Sequence, residues 1–580
     1  MRSGGGSTNT SSGVARTVGF WLGLVLFVGL LLVPPPQSMH AAARECFGEK
    51  LPADVAAILS EWEQPQATPG SEVYQQAESA AVAGRARIMM GAAAVTALVA
   101  CWWISVAIPI PATSLLPLLL FPIVGVLPIR QAALPYANSN VFLFMGGFII
   151  ALGVERWGLH RRIALHIVRI IGTGRTTIVL GFMIATAILS MWISNTATTM
   201  MMLPIGLAVI AAMPGLEEES GPKQGGNFAA ALMLGIAYSA SIGGVATPIG
   251  TPPNISFRGQ LALLYPAAPE ISFGQWLLMF LPLVCVFLPV AWLVLVRVTC
   301  RVGTGRFHAG RAVVREQVKR LGRMRGPEIA MLVVFAATAL LWMARSIPIG
   351  ETNYGWAAVI ERWLSSADGT PHRFQAKFIN DATVAVGMAV LLFLIPAGRD
   401  EAGKRQPLMN WETAQRLPWG ILLLFGGGFA IAAGMRESGL SDWCGRVFVG
   451  LGISQPLPLI AGTSTLMTFL TEITSNTATT EVMLPIVAKA GEALGSNPLL
   501  LMLPATLSAS CAFMLPVATP PNAIVFGSGR VEMGRMVRTG IILNLVGVLL
   551  VTTVIYLIVR PLLAIDPQTV PEWALRAGGG

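Results

Sequence analysis

Long apolar runs separated by short basic clusters dominate the chain from residue 17 to residue 560. The first, TVGFWLGLVLFVGLLLV at 17–33, is followed by runs at about 88–108, 112–128, 140–154, 275–297, 327–346, 377–396, 419–434 and 537–560. A helix needs roughly 20 apolar residues to cross a hydrocarbon layer about 30 Å thick, so these runs predict membrane-spanning helices. Two further stretches, 228–262 and 497–527, are apolar but interrupted by proline and glycine. Two others, about 176–213 and 455–493, carry the polar hexapeptide SNTATT near the middle. The pattern predicts an all-α polytopic membrane protein with about 11 transmembrane helices, two re-entrant hairpins and two broken helices.

The polar stretches orient this frame. Residues 1–16 are rich in glycine and serine and are expected to be disordered. Residues 34–87 hold seven acids and four bases and predict an external polar loop. Arg156, Arg161, Arg162, Arg169 and Arg175 lie on an amphipathic segment at 155–175, expected to rest on the cytoplasmic surface. Residues 297–325 hold nine Lys or Arg and one acid, Glu316, and a third basic stretch runs from Arg399 to Arg416. The positive-inside rule places all three in the cytoplasm, with the N-terminus. The domain plan is then a first repeat at 88–297, a basic connector at 298–326, a second repeat at 327–560 and a tail at 561–580.

Composition agrees. Charged residues make up 12% of the chain, against about 25% in soluble domains. The net charge of +10 sits in loops between apolar runs, so it marks topology rather than nucleic-acid binding. The six cysteines form no C-x-x-C pair, and no H-E-x-x-H, G-x-G-x-x-G or P-loop pattern occurs. Neither a resident metal nor an enzyme is indicated.

The polar hexapeptide belongs to a larger duplication. LFMGGFIIALGVERWGL at 143–159 aligns with LFGGGFAIAAGMRESGL at 424–440, and SNTATTMMMLPI with SNTATTEVMLPI, both at an offset of 281. GTPPN at 250–254 pairs with ATPPN at 518–522, at an offset of 268. Three blocks in one order establish an internal repeat. Five crossings separate the run at 140 from the run at 419, and a hairpin adds none or two. The total is odd, so the two copies point in opposite directions. Inverted repeats place a transporter's substrate site where the copies meet, near the midplane.

The motifs suit such a site. A helix broken at Ser194-Asn195-Thr196 exposes carbonyls on one side and amides on the other. Carbonyls suit a small hard cation; an amide terminus suits an anion. Ser475, Asn476 and Thr477 offer the same set. Capping or interhelical bonding explains one such motif equally well, but not its return in an inverted copy. The adjacent prolines in both TPPN motifs must break a helix, and irregular backbone at this depth belongs beside a cavity. Glu481, where the first copy has Met200, is a carboxylate at membrane depth and a candidate for function.

The paired SNT motifs, with SCAFMLPVATPPNAIVFGSG at 510–529, resemble the divalent anion:sodium symporter family over about residues 88–560. The resemblance implies a bacterial inner-membrane, homodimeric secondary transporter that moves its transport domain as an elevator. It implies one sodium site at Ser190, Ser194, Asn195 and Gly250. A second would use Thr471, Thr474, Asn476 and Ala518, partly through backbone carbonyls; Thr474 stands where the family often has a smaller residue. The implied substrate contacts are Asn195, Thr196, Thr251, Asn476, Thr477, Thr519 and Pro520. The implied cargo is Na⁺ with a small dianion, either a C4 dicarboxylate, citrate or sulfate, and sodium-independent exchange is the alternative on the same scaffold.

Overall fold

A computed structural model of the chain describes residues 8–48, 50–172, 174–211, 222–303, 308–349, 352–364, 375–399, 405–449 and 455–575. These are almost entirely helical; two short antiparallel strand pairs sit in connections, at Pro348–Ile349 with Thr352–Asn353 and at Pro396–Arg399 with Arg405–Pro407.

The N-terminal region is more ordered than its composition predicts. Helix α1 (Thr8–Leu32) reaches back into the Gly/Ser-rich stretch expected to be disordered. Residues 34–87, expected as a plain loop, carry α2 (Gln37–Cys46), α3 (Leu51–Glu61) and the start of α4 (Glu72–Ser105). The reason is amphipathicity. Val55 and Leu59 of α3 bury against Ala77 and Ala81 of α4, forming a small core of their own. Arg85 of α4 then grips Asp54 of α3 through two hydrogen bonds of 2.7 and 2.9 Å. Too few apolar positions carry this packing to stand out among the charges. Ser71 starts α4 by accepting from the Tyr74 amide.

Seven helices among the described residues are long and apolar enough to cross a membrane, and the bent α1–α2 pair makes an eighth. Shorter apolar helices include α5 (Ile110–Ile123), α16 (Asp381–Leu394) and the first segment of the second broken helix, Leu499–Ser508, at positions where the sequence predicts further spans. The first repeat continues with α6 (Ser139–Arg156) and amphipathic α7 (Leu159–Ile171). Its hairpin is α8 (Arg175–Ser190) and α9 (Asn195–Ala211). Its broken helix is α10 (Pro222–Gly244) and α11 (Pro252–Leu264), followed by α12 (Phe273–Leu293). After the basic connector with α13 (His308–Arg320) come α14 (Gly326–Ala344), α15 (Trp356–Leu364) and α16. The second repeat presents α17 (Trp419–Glu437), amphipathic α18 (Leu440–Val449), the hairpin α19 (Pro456–Ile473) and α20 (Asn476–Ala493), the broken helix α21 (Leu499–Ser508) and α22 (Pro520–Gly527), and α23 (Met533–Val554).

Each hairpin arm has 16 to 18 residues, about 24–27 Å of helix and short of a full span. The two repeats pack reciprocally. Helix α9 of the first hairpin lies on α22 of the second broken helix, and α20 of the second hairpin lies on α11 of the first. This exchange relates the halves by an approximate two-fold axis and brings both helix breaks to the centre of the molecule. Small residues let the spans approach. At Gly146 of α6 a Cβ would lie 2.6 Å from the Ala385 backbone of α16.

Candidate transport site

The first hairpin breaks between Ser190 and Asn195. The Ser194 hydroxyl caps α9 by accepting from the Ala197 amide at 3.3 Å, and the Thr199 hydroxyl donates back to the Asn195 carbonyl at 2.8 Å. Thr480 repeats this on Asn476 at 2.7 Å. Much of the hexapeptide is thus a first helical turn whose local hydrogen bonds are closed, leaving the Asn side chain free for other work.

Three oxygens converge on the end of the Asn195 side chain: Ser190 Oγ and the carbonyls of Ala240 and Gly250. Turned one way, the amide oxygen accepts from Ser190 Oγ at 2.6 Å, while that hydroxyl is also 2.7 Å from the Ala240 carbonyl. Turned the other way, the amide nitrogen donates to Ser190 Oγ, the Ala240 carbonyl and the Gly250 carbonyl at 2.6, 3.0 and 3.1 Å. The second orientation satisfies the carbonyls, and the three oxygens gathered around the amide are the donor type a hard cation takes. Oxygens of this kind fit Na⁺ as a transported ion.

The second tip repeats the arrangement. Thr471 Oγ1 donates to Asn476 Oδ1 at 2.6 Å and lies 3.1 Å from the Ala509 carbonyl. Asn476 follows Thr471 by five residues, as Asn195 follows Ser190. Thr474 is buried, its hydroxyl bonded to the Leu470 carbonyl at 2.7 Å and to the Thr479 hydroxyl.

Sequence reasoning missed the residues that hold the broken helices in shape. The Asn254 amide donates to the Gly244 carbonyl at 3.1 Å and the Thr247 carbonyl at 2.8 Å, and Asn522 does the same for Ala512 and Leu515 at 3.1 and 3.0 Å. The final letter of the repeated TPPN motif was the available signal. Glu472 was missed as well. Its carboxylate accepts from the backbone amides of Phe513, Met514 and Leu515 at 2.7, 2.8 and 3.0 Å and from Asn544 at 2.7 Å. Its signal was an acid three residues before SNT in an otherwise uncharged run.

A cavity of about 880 Å³ opens between the two tips. All seven residues expected to contact substrate line it: Asn195, Thr196, Thr251, Asn476, Thr477, Thr519 and Pro520. Of the residues expected to hold cations, Ser194, Asn195, Asn476 and Ala518 line it too, whereas Ser190, Gly250, Thr471 and Thr474 lie buried behind it. The N-termini of α9, α11, α20 and α22 all reach this cavity. Their aligned dipoles favour an anion without a lysine or arginine in either motif. Charges enter at the half-buried Glu155 and the exposed Arg416, which pair at 3.6 Å and also line the cavity. Thr251 Oγ1 lies 3.4 Å from Ser510 Oγ, so the two repeats touch at the site itself.

An inverted repeat whose two polar helix breaks meet at one cavity inside a bundle of apolar helices defines a secondary membrane transporter. Residues 81–565 match the family described as the sodium:sulfate symporter transmembrane region. The sodium-dependent dicarboxylate transporter SdcS of Staphylococcus saprophyticus is 42% identical over 474 residues, covering 82% of this chain and 86% of that protein. The protein of the same description from Staphylococcus aureus strain MRSA252 is 40% identical over the same length. The chain belongs to the divalent anion:sodium symporter family and is an integral membrane transport protein, not an enzyme. A solved structure of the Alcanivorax borkumensis YdaH transporter covers 72% of this chain and 86% of its own at 15% identity and a TM-score of 0.49, a likeness too slight to build on.

Proposed function

We propose that this protein is a sodium-coupled symporter of a C4 dicarboxylate such as succinate, malate or fumarate. The observation that carries the reading is the meeting, at one cavity, of four helix N-termini and two Ser/Thr–Asn oxygen clusters. The N-termini suit two separated carboxylates, and the clusters suit Na⁺ bound alongside. The relatives described as sodium-dependent dicarboxylate transporters support the same assignment. Ser190, Ser194, Asn195 and Gly250 would hold one Na⁺, and Thr471, Thr474, Asn476 and Ala518 another. Asn195, Thr196, Thr251, Asn476, Thr477, Thr519 and Pro520 would hold the dianion. Cation charge beside the anion site makes binding reciprocal: Na⁺ tightens the dianion, and the dianion tightens Na⁺ by the same factor. The protein would work as a homodimer in the bacterial inner membrane, N-terminus in the cytoplasm, carrying its site across by an elevator movement.

Uptake of radiolabelled succinate into proteoliposomes tests this. Uptake is expected with an inward Na⁺ gradient and not with K⁺, and unlabelled citrate or sulfate is expected to compete weakly. Equal uptake in Na⁺ and K⁺ would replace symport by sodium-independent exchange. Stronger competition by citrate or sulfate would reassign the substrate.

A further inference from the structure

Glu481 lies outside the cavity and outside both oxygen clusters. It is fully buried on α20, pressed between α11 and α17. The Ser256 hydroxyl meets one carboxyl oxygen at 2.6 Å and the Gln260 amide meets the other at 2.6 Å. Both partners are neutral. On the elements packed around α20, the charges are engaged elsewhere. Arg258 of α11 pairs with Glu270 and Asp381, Lys489 of α20 itself with Asp442 and Glu492, and Arg436 of α17 with Glu437. Glu472 of α19 faces the 513–515 amides, Arg446 of α18 pairs with Glu45, α21 has no charged residue, and the charges of α4 fall in its first sixteen residues.

An ionised carboxylate so placed would sit at membrane depth with no countercharge, and two neutral hydrogen bonds do not offset that desolvation. Sodium does not fit the gap. Each carboxyl oxygen already faces a donor, and of α11, α17 and α20 only α20 has a proline in its interior, Pro485, which frees the single carbonyl of Glu481 and not the full oxygen shell a cation takes. A proton needs neither. The space is also shaped for the side chain: a Cβ on Gly428 of α17 would lie 2.3 Å from the carboxyl oxygen. The equivalent position in the first repeat, Met200, is half exposed and lines the cavity, so this feature is not part of the duplicated machinery.

We propose that Glu481 is a proton-binding site: its carboxyl group carries a proton here and donates a hydrogen bond to Ser256 Oγ, and the proton exchanges with water when α11 and α20 part from α17. The proton comes from bulk water, and the O–H bond is the one made and broken. That the parting accompanies transport rests on the function proposed above; the protonation itself does not.

Infrared spectroscopy of the purified protein at neutral pH tests the protonation directly. The wild type is expected to show the C=O stretch of a buried protonated carboxyl group that Glu481→Gln loses. Ser256→Ala is expected to keep the band but shift it, because it removes the hydrogen-bond acceptor. Identical spectra for wild type and Glu481→Gln would overturn the proposal. Sodium-driven uptake of fumarate, which stays a dianion to lower pH than succinate, tests the exchange. Wild-type uptake is expected to fall as pH rises, while Glu481→Gln, a permanent mimic of the neutral form, responds little. Parallel pH profiles would overturn the link to transport. Absence of sodium-driven uptake in the wild type would instead fail the symport reading and leave the infrared result standing.

Discussion

The two helix breaks carry the same residues at their tips and are held in different ways. The first, Val245 to Thr251, is buried throughout. Its restraints are neutral: the Thr247 hydroxyl bonds the Met191 carbonyl, and the Trp276 indole bonds the Val245 carbonyl at 3.1 Å. The second, Ala512 to Thr519, has Val517 80% exposed and less packing to hold it. There a carboxylate does the holding, with Glu472 gathering three consecutive amides and Asn544. Glu472 occupies the repeat position of Met191. One tip geometry is thus shared while the scaffold beneath diverges, packing serving one copy and charge the other.

The sharpest comparison is between the tips themselves. Asn195→Ala and Asn476→Ala are each expected to cut sodium-driven uptake by about 100-fold, since each removes the shared oxygen of a cluster, with little loss of folded protein. Wild-type uptake by either variant would show that the two clusters are not equivalent in function. The scaffolds come next. Glu472→Ala strands three amides, that of Phe513 buried and those of Met514 and Leu515 half-buried, and is expected to destabilise the protein by about 4 kcal/mol, whereas Met191→Ala is expected to cost about 1–2 kcal/mol. Thermal unfolding in detergent, followed by fluorescence, measures both; equal shifts would abolish the proposed difference.

A smaller contrast lies at Gly250 and its counterpart Ala518. A Cβ on Gly250 would sit 2.4 Å from the Gly244 carbonyl oxygen. Gly250→Ala is expected to cost about 1–3 kcal/mol and to weaken Na⁺ binding, because it displaces a cluster carbonyl. Ala518→Gly is expected to cost less than about 1 kcal/mol. Sodium titration of thermal stability distinguishes them, and an unchanged Na⁺ midpoint in Gly250→Ala would remove that carbonyl from the site.

Much of this architecture is legible in the chain because membranes make polar residues costly, so SNTATT and TPPN stand out against apolar surroundings. Duplication then supplies the pairing, and parity the inversion. What stays hidden has physical reasons. Asn254 and Asn522 act on carbonyls seven to ten residues earlier, a contact that exists only once the proline break has turned the chain. Glu472 reaches across 41 residues to the Phe513 amide, and no local pattern announces that distance. Helices α2 and α3 are concealed because their polar faces dominate the composition of a short segment.

The smallest expected effect separates the two amphipathic helices. His160 of α7 is buried, and Ser441 holds its repeat position in α18. Burial lowers the affinity of the His160 ring for a proton below its ordinary value of 6.5, with Arg161 adding to this and the Val154 carbonyl and Glu155 opposing it. The folded state therefore favours the neutral ring. Above about pH 6.5 the ring is neutral whether α7 is docked or not, and its contribution is complete. As pH falls through that value, the undocked chain takes up a proton first, and stability declines until the lower folded value is reached. Only a small decline is expected, because one group alone contributes it. Exchanging in the second repeat's residue, His160→Ser, is expected to remove that part of the acid slope, while Ser441→Ala leaves it intact. Thermal unfolding between about pH 7.5 and pH 5.5 provides the measurement. If His160→Ser keeps the wild-type slope, the acid sensitivity lies elsewhere, and the two amphipathic helices do not differ in their response to pH.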